Sequence, residues 1–142
     1  MKTLFRNILA VVLGVFIGGV VNMGLILLGG SLIPPPEGVD PNDMESLKTS
    51  MHLFEAKHFL FPFLAHALGT LAGALLAAWV AVTYRWTCAL LIGLVFLAGG
   101  IAAAVMLPAP AWFIATDLVL AYLPMAWLGY WLVTRVARAR RS

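Results

Sequence analysis

At 142 residues, 63% apolar and only 11% charged, with a mean hydropathy of +0.99, the chain has the length of one domain. Its charged fraction is less than half the about 25% of soluble proteins, which excludes an ordinary water-soluble fold. The net charge of +3 reflects where basic residues sit along a membrane protein and makes no case for nucleic-acid binding.

Charge-free intervals define the elements. No formally charged side chain occurs between Arg6 and Glu37, between Lys57 and Arg85, between Arg85 and Asp117, or between Asp117 and Arg135. A helix needs about 20 predominantly apolar residues to cross a hydrocarbon core of roughly 30 Å. The pattern predicts spans at about 5–33, 58–84, 87–107 and 112–134, within a single transmembrane domain covering 1–142. The first begins with Lys2 and Arg6, as a signal peptide would. Its apolar run from Ile8 to Ile33 far exceeds a signal core of roughly 7–15 residues, and no A-x-A site precedes the prolines, so it reads as a retained span.

The connection at 34–57 is expected to carry structure. Pro34-Pro35-Pro36 cannot continue a helix. Asp40 then reads as an N-cap, with Pro41 at the first helical position. Met44, Leu47, Met51 and Phe54 recur at helical spacing, so an amphipathic helix over about 41–57 is expected on the outer membrane surface. It leads through His58 to Pro62, which lacks a donor for the residue-58 carbonyl and predicts a bend there.

Span two carries Ala65, Gly69, Gly73 and Ala77 at four-residue spacing. Such a face lets another helix backbone approach closely, where packing must replace the hydrophobic effect. Gly14 with Gly18, Gly99 with Ala103 and Gly100 with Ala104 repeat the pattern more weakly. Pro108-Ala109-Pro110 predicts a tight outer turn, and Pro124 a kink in span four. Cys88, the only cysteine, excludes an intrachain disulfide or a CxxC redox pair.

Seven of nine basic residues fall at Lys2, Arg6, Arg85, Arg135, Arg138, Arg140 and Arg141, whereas the 34–57 loop has five acids against two lysines. The positive-inside rule then puts both termini, the 84–87 turn and the basic tail at 135–142 in the cytoplasm of a bacterial inner membrane.

All three histidines, His52, His58 and His66, fall within fifteen residues. Ionisable groups inside a span are functional candidates because exposing them to lipid is costly. His66 and Asp117 qualify, with the amide Asn22. At a rise of about 1.5 Å per residue, His66 lies about 12 Å from His58, Asp117 about 7 Å from Trp112 and Asn22 about 16 Å from Ile33, all measured from the outer side. They are placed to meet, with Thr70 on the His66 face, either as an interhelical hydrogen bond that fixes register or as a proton- or substrate-handling site. His52, Glu55 and His58, with Asp43 or Glu45, form a candidate metal set on the outer surface. The outer two histidines sit 120° apart on an ideal helix, so all three do not converge. Glu55 and His58 supply one Glu-x-x-His element, and di-iron bundles need two copies and further acids. No nucleophile lies beside a histidine and no carboxylates pair within the spans, so no enzyme is expected.

The stretches Ile33-Pro34-Pro35-Pro36-Glu37-Gly38-Val39-Asp40 and Met51-His52-Leu53-Phe54-Glu55-Ala56-Lys57-His58-Phe59, followed by Pro62 and His66-Ala67-Leu68-Gly69-Thr70, resemble small bacterial four-span membrane proteins of unknown function. The resemblance implies no activity, cofactor or site residues. Small multidrug exporters carry an acid in span one and quinone-linked disulfide-forming proteins carry cysteine pairs; this chain has neither.

The sequence thus predicts an all-α integral membrane four-helix bundle with an additional external amphipathic helix. The favoured role is a non-enzymatic subunit or scaffold that packs through its glycine faces, in contact with the lipid bilayer and with a second copy or an adjacent membrane protein. A proton-coupled or substrate carrier built on Asn22, His66 and Asp117 is one alternative, and a metal- or haem-binding protein the other.

Overall fold

A computed structural model describes residues 1–139, so the end of the basic tail lies outside the described residues. The described chain is all-helical: α1 (Lys2–Leu32), α2 (Met44–Ser50), α3 (Leu60–Val80), α4 (Arg85–Met106), α5 (Ala111–Leu120) and α6 (Leu123–Ala139), with 3₁₀ turns at Met51–Leu53 and Ala56–Phe59. Four segments are long and apolar enough to cross a membrane: Lys2–Leu32, Ala56–Val80, Arg85–Met106 and Ala111–Ala137. They run up and down, giving the bundle a terminus end, with residue 1 and the 81–84 turn, and a loop end, with residues 33–59 and 107–110.

The central helix is α3, which packs most extensively on α1, then on α6 and α4. Its buried residues are Ala65, Ala67, Gly69, Thr70, Gly73, Ala74, Ala77 and Ala78. None is larger than threonine, and that is why three helices reach its backbone. A Cβ on Gly14 would stand 2.7 Å from the Gly73 carbonyl oxygen, and one on Gly18 would stand 2.7 Å from that of Gly69. Reciprocally, Cβ atoms on Gly69 and Gly73 would stand 2.9 and 2.6 Å from the Gly18 and Gly14 carbonyl oxygens. The face read as a contact surface therefore closes α1 onto α3 within one chain. Gly129 of α6 lies as tightly on the Leu75 amide of α3, 2.9 Å from where its Cβ would be.

At the terminus end Asn7 ties α1 to the turn after α3. Its Nδ2 donates to Thr83 Oγ1 at 2.9 Å, and its Oδ1 accepts from Val82 N at 3.1 Å. Tyr84 closes that turn in the left-handed region, φ 51°, and starts α4.

One element differs from the sequence reading and another sharpens it. The helix expected over 41–57 is two pieces. Asp43, not Asp40, is the N-cap, accepting from Glu45 N at 3.1 Å and Ser46 N at 3.3 Å. Asp40 instead accepts from Asn42 N at 2.8 Å, a local turn that holds Pro41 outside the helix. The chain then leaves helical geometry at Phe54 and restarts at Glu55, which forms a capping box with His58. The Glu55 amide donates to His58 Nδ1 at 2.9 Å, so a side chain supplies a partner the backbone helix would otherwise have given. Pro62 falls in the first turn of α3, where a missing N–H costs little.

In span four the kink expected at Pro124 is a full break between two helices, the second running to Ala139. Pro124 cannot donate to the Leu120 carbonyl and its ring crowds it. The α-helix ends at Leu120 and resumes at Leu123, leaving Ala121 and Tyr122 in a bend.

Candidate functional site

Three elements carry one polar cluster. His66 comes from α3, Asp117 from the last turn of α5 and Tyr122 from the bend that Pro124 forces. His66 Nδ1 lies 2.9 Å from Asp117 Oδ1 and 3.0 Å from Oδ2. The Tyr122 hydroxyl donates to Asp117 Oδ2 at 2.7 Å and sits 3.0 Å from His66 Nδ1. Asp117 and Tyr122 are 4% and 1% exposed, so the carboxyl group is held inside the bundle by the Tyr122 hydroxyl and the His66 ring, as a buried polar group requires. The Thr70 hydroxyl donates to the His66 carbonyl at 2.7 Å, a bond within α3 that satisfies a buried hydroxyl. Gly100 of α4 leaves the space that the Tyr122 phenol occupies, since a Cβ there would overlap its ring and hydroxyl.

His66 and Asp117 line a cavity of about 360 Å³. Its walls come from the loop-end half of α1 and the residue after it (Ile26, Gly29, Ile33), from the end of α4 and the residue after it (Gly100, Ala103, Leu107) and from Phe113 and Ile114 of α5. The broken loop forms its cover with Leu47, Met51, Phe54, His58 and Phe59. Phe59 holds that cover to α5, tilted at 4.8 Å from Phe113 and edge-on at 5.7 Å from Trp112 between ring centroids, and within the cover Phe54 stands edge-on to His58 at 5.4 Å. His58 and His66 are the only imidazoles in a lining that holds no lysine or arginine.

Neither imidazole has a hydrogen-bond partner at Nε2 among the described residues, and neither Nε2 is sealed off. The one buried side-chain oxygen or nitrogen without a partner there is Asn22 Oδ1. Asn22 packs against Gly69, whose Cβ would stand 3.0 Å from that of Asn22. It makes no hydrogen bond to His66 or Asp117 among the described residues, so the structure joins two of the three polar groups read as one cluster and leaves Asn22 beside them.

His52 is exposed on the Met51–Leu53 turn. Glu55 pairs with Lys57 at 3.2 Å, and His58 has its Nδ1 occupied by the Glu55 amide. No group of three or more His, Cys, Asp or Glu side chains among the described residues is arranged to hold a metal ion.

Tyr122 and Asn7 escaped the sequence reading. Tyr122 had a signal: a tyrosine near the middle of a charge-free span, away from the interfaces where tyrosines gather, needs a partner for its hydroxyl. Asn7 follows Arg6 at a span end, where a polar residue calls for no explanation.

No protein-family model, curated protein or solved structure matches the chain. Beside the resemblance read from the loop and span two, the fold supports a small protein with four helices fit to cross a membrane.

Proposed function

We propose that this is a non-enzymatic integral membrane protein that binds a small lipophilic molecule in its loop-end cavity, with His66 as the polar contact that Asp117 and Tyr122 hold in place. The observation that carries this reading is the meeting of the apolar cavity with the ordered His66–Asp117–Tyr122 cluster. An apolar pocket with few convergent polar groups is the common form of a small-molecule site, usually about 300–1,000 Å³. Were the cluster a register lock alone, it would need no space beside it. The positive-inside rule puts the cavity in the outer half of the membrane.

Photolabelling of the purified protein with a diazirine-bearing long-chain alkane tests the reading. Adducts are expected on peptides spanning 26–33, 51–59 and 100–107, and Ala104→Trp, which puts an indole at a residue lining the cavity, is expected to remove them. Adducts spread evenly over the lipid-facing helices, and unchanged by Ala104→Trp, would overturn it.

The scaffold reading keeps one observation in its favour. Only 11% of the apolar window of α1 is buried, and Gly19 and Gly24 have nothing within 4 Å of where a Cβ would stand. A second copy or a neighbouring membrane protein covering that face would give disulfide-linked species with Gly24→Cys in native membranes. Its absence would leave α1 to lipid.

A further inference from the structure

The cavity's polar groups also specify the head group of what it binds, an inference that rests on the binding role proposed above. At His58 the hydrogen is assigned by the backbone. The Glu55 amide can only donate, and it donates to Nδ1 at 2.9 Å, so Nδ1 carries the lone pair and a neutral His58 carries its hydrogen on Nε2.

At His66 the assignment comes from charge. A net charge inside an apolar bundle is costly, so the histidine–aspartate pair is stable when it is neutral overall. Two arrangements satisfy that. In one, the imidazolium donates through Nδ1 to the ionised carboxylate, whose two oxygens lie at 2.9 and 3.0 Å. In the other, the carboxylic acid donates to Nδ1 of a neutral ring. In both, Nε2 keeps its hydrogen. Both imidazoles line the cavity, so two N–H donors border it, and the one carboxylate on its wall, Asp117, already serves His66 and Tyr122.

A hydroxyl head group accepts equally well, but it also brings a hydrogen that must compete with His66 and Tyr122 for Asp117. A carboxylate head would bring an unbalanced negative charge to a lining without lysine or arginine. An ammonium head would meet two donors. An uncharged carbonyl accepts without carrying charge or a surplus donor. We propose that the cavity binds an uncharged lipophile through a carbonyl oxygen that accepts a hydrogen bond from His66 Nε2, with His58 Nε2 as a second donor at the loop side. Such a carbonyl occurs both in free lipophilic ketones and in the acyl esters of membrane lipids.

The test extends the photolabelling to probes of one chain length that differ only in the head: a ketone, an alcohol, a carboxylate, the parent alkane and a phospholipid carrying the same diazirine acyl chain. The ketone is expected to label the cavity peptides about tenfold more than the alcohol, the carboxylate or the alkane, the size of one satisfied hydrogen bond. Phospholipid labelling above the ketone assigns the carbonyl to an ester, and the reverse assigns it to a free ketone. His66→Phe, which keeps an aromatic ring but removes the donor, is expected to reduce ketone labelling to the alkane level while alkane labelling persists. That persistence shows the fold to be intact. Equal labelling by ketone, alcohol and alkane overturns the carbonyl assignment and leaves the cavity standing, as does preference for the carboxylate. Failure of every probe to mark the cavity removes the binding role itself.

Discussion

The two ends of this bundle solve opposite problems with the same four helices. At the terminus end and through the middle, helices touch backbone to backbone: Gly14 and Gly18 lie on Gly73 and Gly69, and Gly129 lies on Leu75. At the loop end, α1 and α4 border a cavity of about 360 Å³, and α5 contributes a buried carboxylate. Small residues bring contact where contact is the only source of stability in lipid. Larger rings and a broken helix hold space open where contact would have been available. Stability is thus concentrated in one half and candidate chemistry in the other, and the two should respond differently to substitution.

The largest effect is expected where the helices are closest. A Cβ on Gly73 would stand 2.6 Å from the Gly14 carbonyl oxygen and 3.1 Å from Ile92, so Gly73→Val must part α1 from α3. Overpacking costs typically about 1–3 kcal/mol and more where backbone must move. The expected outcome is loss of monodisperse protein on size-exclusion chromatography in detergent, with a markedly lower melting temperature. Gly19→Val and Gly24→Val, in open positions, should behave as wild type. If Gly73→Val were equally benign, the contrast between the halves would collapse.

The polar cluster comes next. His66→Phe and Asp117→Leu each leave a buried partner exposed to the loss, and the double variant removes both. Interhelical hydrogen bonds in membranes average about 0.6 kcal/mol and reach about 1.7. Because His66 Nδ1 engages both carboxylate oxygens, a coupling of about 1–2 kcal/mol is expected in a double-mutant cycle of thermal or denaturant unfolding. Additive single effects would show that the two groups do not act as a pair.

This half was legible in the sequence to an uneven degree. Intramembrane His66 and Asp117 stand out by type, and their depths from the same side put them within reach of each other. Residue type and depth place them where they can meet, together with Asn22, and the structure pairs only the first two. The cavity could not be read from the sequence, because it depends on the loop breaking at Phe54 and Glu55, and an apolar stripe from Met44 to Phe54 looks the same whether the helix continues or folds back. Glu55, weighed as a metal ligand, instead caps the turn that follows, its amide donating to His58 Nδ1. At Tyr122 the kink is predicted from Pro124, but its consequence for the neighbouring side chain is not. On one continuous helix it would lie five residues from Asp117, out of line with it, and only the interruption before Pro124 brings its hydroxyl onto Oδ2. Spans follow from composition, whereas breaks follow from local competition between side chain and backbone.

Tyr122→Phe sharpens the comparison further. It removes one donor from Asp117 while keeping the ring that fills the space beside Gly100, so a loss of about 0.5–1 kcal/mol in unfolding free energy is expected. His66 still holds the carboxylate, and ketone labelling of the cavity should therefore fall by less than in His66→Phe. An equal fall would make Tyr122 a partner in binding rather than a support for Asp117.

The smallest effect is expected at the other end. Asn7 makes bonds of 2.9 Å to Thr83 Oγ1 and 3.1 Å to Val82 N, a clamp comparable in number to the His66–Asp117–Tyr122 cluster but lying at exposed residues. There water replaces a lost partner, so Asn7→Ala should cost about 0.5 kcal/mol, below the usual range for a buried bond. Hydrogen exchange of the Val82 and Thr83 amides should quicken, since both donate toward Asn7 Oδ1, while cavity labelling stays unchanged. A loss of labelling in Asn7→Ala would mean that the turn at 81–84 sets the geometry of the far end through α3, and the two halves would then have to be treated as one mechanical unit.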